Sequence, residues 1–224
     1  MDFKEVQKTD PLKRSAEKQT AAPEYSPMDP PDAYSPPGGD AVTYEAMPAF
    51  LKGLMDEHRS FEEPLKSFEN ALGWLQKNGL KPEKDVDESL RRFFSFLDDR
   101  IVVHHMKEEK ILFPALQERL LEKGEHGSGE RPRTAVDILE DDHAKVMQLA
   151  ALTFNFLGLA ARLPDAASRA IVLDAALEQG TTLIEVLRLH MFREDNVVFS
   201  LAAKHLSDSE LDQMERRLTE GARL

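Results

Sequence analysis

The sequence predicts an all-α protein, an up-and-down four-helix bundle with a disordered N-terminal tail and a short C-terminal helix. From about residue 44 onward, apolar residues recur three and four positions apart over long stretches, which is the period of an amphipathic helix. Short segments that contain Gly and Pro separate these stretches, as expected at helix boundaries. No stretch shows the strict alternation of apolar and polar residues that is typical of a half-buried strand.

The first 43 residues differ from the rest of the chain in amino-acid composition. They include AAPEYSPMDPPDAYSPPGGD, which is rich in Pro, Ser, Asp and Gly and has no apolar period. Such a segment buries too little apolar surface to offset the entropy lost on ordering. Residues 1–43 are therefore predicted to form a disordered tail.

Three breaks divide the remainder of the chain into four long helices. The breaks are NGLKP, KGEHGSGERPR and RLPDA, and the predicted helices span roughly residues 45–78, 83–122, 133–162 and 165–204. Short connections favour antiparallel neighbours, so residues 44–206 are assigned to one up-and-down bundle. The segment SDSE at 207–210 has the pattern of a capping box, which predicts a short fifth helix within residues 207–224.

Composition excludes several classes of function. Acidic side chains outnumber basic ones by 41 to 29 in the 224 residues, for a net charge of −12, which repels a nucleic-acid backbone. There is no cysteine, so a metal must be held by His, Asp or Glu. The N-terminus lacks the apolar core of a signal peptide, and Gln148, Asn155 and Arg162 interrupt the longest apolar run. A cytoplasmic protein without nucleic-acid or membrane partners is expected.

One short pattern occurs twice. VVHHMKEEKILFP begins at residue 102 and RLHMFREDNVVFS begins at residue 188. When they are aligned, both contain His-x3-Glu, then an acidic residue, two aliphatic residues and a phenylalanine. Residues four apart lie on the same face of a helix, so the His and Glu of each motif can reach one ion. The two pairs are His104 with Glu108 and His190 with Glu194.

A single histidine precedes each pair on the preceding predicted helix. His58 lies 46 residues before His104, and His143 lies 47 residues before His190. Each half of the bundle thus has the same pattern, a single histidine on one predicted helix and His-x3-Glu on the next. Together the halves offer four imidazoles and two carboxylates on four converging helices, a ligand set that suits two iron ions, or manganese, bridged by carboxylates. Without a cation or internal pairing, burial of these groups would be costly.

These motifs, with Leu-Phe-Pro after the first pair, resemble the hemerythrin-like (HHE cation-binding) family over roughly residues 45–205. The resemblance implies a non-haem di-iron centre, cycling between Fe²⁺ and Fe³⁺, in which Glu108 and Glu194 bridge the ions. It implies a protein that binds, senses or reduces a small oxidant such as O₂, peroxide or nitric oxide, or that senses or stores iron. The ligands it implies are His58, His104, Glu108, His143, His190 and Glu194.

The chain departs from the oxygen-carrying members of this family at one position. Those members have another histidine four residues before the one that matches His143, where this chain has Leu139. Glu140 is a candidate for an additional oxygen ligand, with a solvated surface position as the alternative. An oxygen ligand would favour the ferric state, which argues against simple reversible O₂ carriage. His105, which aligns with Met191, is expected beside the ligands or at the core edge, with ligation as the alternative.

Other neighbours of the two motifs have predicted supporting roles. The acidic residues that follow the motif glutamates, Glu109 and Asp195, are expected beside the ligands or in solvent. A dry site also requires aliphatic side chains that exclude bulk water. The candidates are Val103, Leu112, Leu189 and Val198.

Two other classes of function are compatible with a helical fold. One is a metal-free interaction domain that acts through the acidic tail and the C-terminal helix on an unknown protein partner. The other is a ferritin-like di-iron oxidase, which requires Glu-x-x-His on two helices. Only EDDH at 140–143 fits that pattern, so the ferritin-like class is disfavoured.

Overall fold

A computed structural model describes residues 42–127 and 132–221 of the chain, and every regular element in these ranges is helical. The all-α class is therefore confirmed. The predicted tail falls outside the described residues except for its last two positions. After a 3₁₀ turn at Tyr44–Ala46, helix α1 spans Ala49–Asn78, helix α3 spans Ala135–Arg162 and helix α5 spans Asp208–Gly221.

Helices α2 and α4 are long and contain π-helical turns. Helix α2 covers residues 84–123 and contains the π turns Leu97–Ile101 and Glu108–Leu112. Helix α4 covers residues 166–205 and contains the π turn Glu194–Val198. The sequence predicted both helices but not these turns, in which one extra residue is accommodated per turn.

Local sequence explains where the helices begin and end. Helix α1 starts at Ala49, after the predicted position 45, because a residue that precedes proline avoids the helical conformation, and Met47 before Pro48 is extended. Thr134 and Asp137 form a capping box at the start of α3. Helix α2 ends at Gly124, which adopts a left-handed conformation with φ of 74° that is open to glycine at no steric cost.

The predicted capping box at the start of α5 is also present. The backbone N–H of Ser207 donates to Glu210 Oε2 at 2.8 Å, and the backbone N–H of Glu210 donates to Ser207 Oγ at 3.3 Å. Helix α5 packs against α1, and Leu211 and Met214 are buried in the core there. The C-terminal helix is thus built onto one end of the bundle.

The bundle core consists of two apolar clusters separated by a polar layer. One cluster contains Phe61, Phe68, Phe93 and Leu187, and the other contains Leu54, Leu112, Phe113, Leu139 and Phe199. Between them, all four long helices contribute buried histidine or glutamate side chains. Polar groups in such a position need partners, because the apolar clusters on both sides offer none.

Helix α3 is also long and apolar enough, by length and composition alone, to cross a membrane. Core helices of soluble proteins pass the same test, so the finding is weak by itself. In this structure α3 packs along α4 and contributes His143 to the buried polar layer. Packing accounts for only part of the composition of α3, since one third of its apolar window is buried. The large apolar side chains of Met147, Leu152, Phe154 and Leu159 are exposed.

Helices α1, α3 and α4 approach closely at Gly180. A Cβ atom added there would lie 2.7 Å from Leu72 Cδ1 and 3.2 Å from Thr153 Cγ2. We expect Gly180→Ala to lower the free energy of unfolding by about 1 to 3 kcal/mol, as overpacking of a core does. Gly73→Ala, where nothing lies within 4 Å of the added atom, should instead stabilise by about 0.5 to 1 kcal/mol. Urea denaturation of both variants tests this contrast.

Candidate metal centre

The six residues predicted as ligands meet in the polar layer at the middle of the bundle. Each is buried, with at most 4 % of its surface exposed. Their potential ligand atoms form two groups, and within each group all atoms lie within 4.8 Å of one another. The two groups share both glutamates. The first group is His58, His104, Glu108 and Glu194, and the second is Glu108, His143, His190 and Glu194.

The histidines face each other in two pairs, one pair in each group. The Nε2 atoms of His58 and His104 are 2.8 Å apart, and those of His143 and His190 are 3.1 Å apart. Two imidazole nitrogens that bind one ion at about 2.1 Å and at a right angle lie about 3.0 Å from each other. Both pairs therefore have the spacing of neighbouring ligands on a metal ion.

Glu108 lies between the two histidine pairs. Its Oε1 is 3.2 Å from His104 Nε2 and its Oε2 is 3.5 Å from His143 Nε2. Each carboxylate oxygen thus faces an imidazole of a different group. This is the arrangement that a bridging carboxylate requires.

Glu194, on α4, also lies between the two histidine pairs. Its Oε2 is 3.2 Å from the Nε2 atoms of both His58 and His190. Among the described residues, none donates a hydrogen bond of good geometry to any of the four oxygens of Glu108 and Glu194. Buried carboxylates are usually paired or bound to metal, so these orphaned oxygens fit a metal centre.

Hydrogen bonds to carboxylates fix the outer nitrogens of three histidines. His58 Nδ1 donates to Asp195 Oδ1 at 2.8 Å, and His143 Nδ1 donates to Glu109 Oε1 at 2.8 Å. Of the two expected placements, beside the candidate ligands or in solvent, the contacts show the first for both residues, and the side chain of Glu109 is also 44 % exposed. A hydrogen bond from Nδ1 leaves the lone pair of Nε2 free to face the centre and raises the basicity of the ring.

Sequence reasoning missed the carboxylates that face the other two histidines. His104 Nδ1 donates to Glu57 Oε2 at 2.8 Å, whereas His190 Nδ1 lies 3.7 Å from Asp142 Oδ2, too far for a hydrogen bond. The signal was present in the sequence, because each of these carboxylates directly precedes one of the single histidines. Without the packing of the helices, that adjacency did not show which ring each carboxylate would contact.

A basic residue pairs with each of the carboxylates that were missed. Lys107 Nζ donates to Glu57 Oε1, and Arg193 Nη1 donates to Asp142 Oδ2 at 2.8 Å. Lys107 and Arg193 occupy equivalent positions in the repeated pattern, each directly before the motif glutamate. The repeat thus includes a cation that holds the outer carboxylate.

The outer carboxylates connect the four helices in a closed ring. Glu57 of α1 faces His104 of α2, and Glu109 of α2 faces His143 of α3. Asp142 of α3 faces His190 of α4, and Asp195 of α4 faces His58 of α1. Each helix therefore provides ligand candidates and places a carboxylate next to a histidine of its neighbour, and three of the four carboxylates accept a hydrogen bond from that histidine. A metal site held this way depends on all four helices being packed together.

Opposite charges balance one another in the buried layer. Burial alone would lower the pKa of His58, but the hydrogen bond to Asp195 and the nearby negative charges of Glu194 and Asp195 raise that pKa to about 10. Burial likewise opposes the charge of His104, whose pKa is raised to about 9 by Glu108 and Glu57. Bound protons thus neutralise the carboxylates of the metal-free protein, and a metal cation would take their place.

Both π turns at the centre start at the motif glutamates. The turns are Glu108–Leu112 in α2 and Glu194–Val198 in α4, which are equivalent positions in the two halves. π turns are rare and occur often at functional sites. Because both motif glutamates start a π turn, the two halves of the chain share the backbone geometry at these residues as well as the sequence pattern.

Aromatic rings cover the histidines on the side of the second apolar cluster. Phe113 stacks on His143 with ring centroids 5.6 Å apart, and Phe199 stacks on His58 at 5.7 Å. These two phenylalanines are also equivalent in the repeat. They exclude water from one side of the layer.

The aliphatic residues predicted to exclude water divide into two groups. Leu112 and Val198 are fully buried, as expected, whereas Val103 is 43 % exposed and Leu189 is only partly buried. The prediction for Val103 is therefore wrong. It precedes the ligand histidine by one residue, a rotation of about 100° around the helix, which turns it outward.

Glu140 and His105, the two residues with alternative predicted roles, differ in burial. Glu140 is exposed and belongs to neither group, so the candidate role as an additional ligand is wrong and the surface alternative holds. Glu140 lies three residues before His143, so the two side chains point about 60° apart around the helix. The side chain of His143 points into the buried layer, and that of Glu140 points to solvent. His105 is buried beside His143.

The outer carboxylates can be tested by a matched pair of variants. We expect Glu57→Gln to weaken metal binding by about 10- to 100-fold, because loss of the carboxylate leaves His104 poorly oriented. Asp56→Asn is the control, since Asp56 is exposed and accepts hydrogen bonds from Tyr44 and Arg59 at the surface, away from the buried layer. Metal titrations of both variants measure the difference, and equal affinities would contradict the role of Glu57.

Comparison with known proteins agrees with this geometry. Residues 49–202 match the family model of the hemerythrin HHE cation-binding domain, a span that contains all six candidate ligands. Searches of curated proteins and of solved structures found no match. The chain therefore belongs to the hemerythrin HHE cation-binding family, as a helical bundle whose buried histidine and glutamate side chains can hold metal.

Proposed function

We propose that the protein is a non-haem di-iron protein that binds a small oxidant such as O₂, peroxide or nitric oxide, and reduces or senses it. The observation that carries this proposal is the pair of buried carboxylates, Glu108 and Glu194. Each lies between two histidine pairs, and their oxygens accept no hydrogen bond from the described residues. Two cations would satisfy both carboxylates at once.

The chemistry of the donor set supports iron. Imidazole nitrogens together with carboxylate oxygens suit iron or manganese, and the absence of thiolate disfavours Cu(I) and the iron–sulfur clusters. Within each group, two imidazoles and two shared carboxylates leave coordination positions for a small ligand. Iron would supply the electrons for reduction, and a stable occupancy by iron would equally serve iron sensing or storage.

The protein's own residues would limit what reaches the ions. The candidate ligands are almost fully buried, and phenylalanine, leucine and valine side chains close the layer. Diatomic and similarly small molecules are therefore the expected ligands, rather than organic substrates. The carboxylate-bound imidazoles would stay oriented as the charge on the metal changes.

The metal-free interaction domain makes the opposite prediction. In that case, alanine at the six ligand positions would leave the activity intact, and the tail would carry it. The tail's protein partner, the cytoplasmic location and the lack of nucleic-acid or membrane partners stay predictions from the sequence pattern.

Metal analysis with absorption spectroscopy tests the proposal. We expect the purified protein, or protein reconstituted with ferrous ion without oxygen, to contain about two irons per chain. Its ultraviolet–visible spectrum should change on anaerobic reduction and again on addition of O₂, peroxide or nitric oxide. A protein that takes up no iron under either condition would contradict the proposal, and preferential uptake of manganese would correct the metal.

A further inference from the structure

The outer face of α3 exposes large apolar side chains over the second half of the helix. Every residue from 146 to 161 is uncharged. Within this stretch Phe154 is 60 % exposed, Leu159 is 46 % exposed and Met147 is 41 % exposed. Single exposed apolar residues are ordinary, but adjoining ones that form a patch indicate an interaction surface.

The exposed side chains belong to a pattern that repeats every seven residues. A small residue recurs at this interval, and the residue three positions after each small one is Met, Phe or Ala. Alternate spacings of three and four residues are typical of the seam along which two helices pack in a coiled coil. All six positions of this seam are exposed in the structure. The small residues are Ala144, Ala151 and Gly158, and those that follow them are Met147, Phe154 and Ala161.

The seam is complementary to itself when two copies of α3 run in opposite directions. One antiparallel register places Phe154 opposite Ala151 of a second copy, and the same register places Met147 opposite Gly158 of that copy. Among the described residues, nothing lies within 4 Å of a Cβ atom added at Gly158, so a large side chain has room there. Large side chains thus meet small ones along the seam, as ridges meet grooves between packed helices.

The charges at the two ends of α3 favour the same direction. Glu140 is exposed near the start of the helix, and Arg162 is exposed at its end. In the antiparallel register, Arg162 of one copy lies within about one helical turn of Glu140 of the other. A parallel pair would instead place like charges together at both ends, which opposes association.

We propose that the protein forms a homodimer in which the α3 helices of two copies pack antiparallel along this seam. The dimer goes beyond the proposed di-iron function and does not depend on it, because the seam lies on the outside of the bundle. A lipid surface fits the seam less well than a second copy does. Helices that lie on membranes are rich in Lys and Arg beside their apolar face, whereas this chain has a net charge of −12.

Sedimentation velocity of the full chain tests the dimer. We expect the dimer fraction to rise with concentration, with a dissociation constant of about 1 to 100 μM, the weak end for specific interfaces. Ala151→Glu should weaken the dimer at least about 100-fold, because it places two like charges close to the two-fold axis. Ala49→Glu is the control, since Ala49 is exposed at the start of α1, outside the seam. Circular dichroism of both dilute variants checks that they are folded.

Cysteine cross-linking tests the direction of the helices, since the chain contains no cysteine. The antiparallel register places Ala144 opposite Ala161 of the second copy. We expect Ala144→Cys protein mixed with Ala161→Cys protein to form disulfide-linked dimers at least about tenfold faster than either protein alone. The reason is that the two copies of either residue are about 25 Å apart in this register, too far for a disulfide.

Three results would overturn the proposal. The first is a chain that stays monomeric at concentrations well above the expected dissociation constant, and the second is a dimer that Ala151→Glu leaves unchanged. The third is faster cross-linking of either cysteine variant alone, which would mean a parallel pair. A monomer that sediments with phosphatidylcholine vesicles would assign the face to lipid instead of a second copy.

Discussion

Simultaneous replacement of His104 and His190 by alanine is expected to abolish iron binding. Each group of candidate ligands would lose one of its two closely spaced imidazoles. The remaining imidazole and the shared carboxylates would have to hold each ion without the neighbouring imidazole of the pair. We expect the iron content to fall from about two per chain to below the detection limit of elemental analysis.

The control for this experiment is a second double substitution of histidine by alanine. His126 lies in the exposed connection after α2, and His205 lies near the end of α4, and neither belongs to the cluster. His126→Ala with His205→Ala should keep the full iron content. A His104→Ala, His190→Ala protein that is folded and still binds two irons would refute the assignment of the centre.

Iron should also stabilise the bundle strongly. A ligand that binds only the folded state stabilises it by about 4 kcal/mol when present at 1,000 times its dissociation constant. For a chain of this size, each kcal/mol raises the unfolding midpoint by about 2 to 4 °C, so we expect ferrous ion to raise the midpoint by about 10 °C. The physical reason is that the ions connect all four long helices through the buried layer.

Replacement of the shared carboxylates should remove this stabilisation. Glu108→Gln with Glu194→Gln keeps the side-chain shape but removes both negative charges that lie between the histidine pairs. We expect scanning calorimetry to show the same midpoint with and without iron. The matched control is Glu118→Gln with Glu215→Gln, at two exposed positions, which should leave the iron-dependent shift intact. A full shift in the Glu108, Glu194 variant would mean that iron binds elsewhere.

Much of the fold and of the centre could be predicted from the sequence because both depend on helical periodicity. The spacing of apolar residues located the four long helices, and Gly and Pro marked their ends. The separation of four residues placed His104 with Glu108 and His190 with Glu194 on shared faces. The repeat then selected His58 and His143 as the remaining members, and the structure brings all six together.

Other features depend on how the helices are rotated and packed against one another. Helical periodicity gives the angle between two residues on one helix, but it does not say which neighbouring helix a side chain meets. For this reason the adjacency of Glu57 to His58 did not reveal that Glu57 would orient His104 instead. The π turns add a residue to a helical turn, so they change angles that an ideal helix would predict.

The sequence by itself determined the helical bundle, the repeat and the six candidate ligands, because these follow from residue spacings along the helices and from their recurrence in the two halves of the chain. Only the tertiary structure decided that the outer carboxylates form a closed ring, that Glu140 faces solvent and that His105 stacks on His143. These outcomes depend on contacts between residues on different helices. Their distances are set by packing around the buried layer, which the spacing along one chain does not contain.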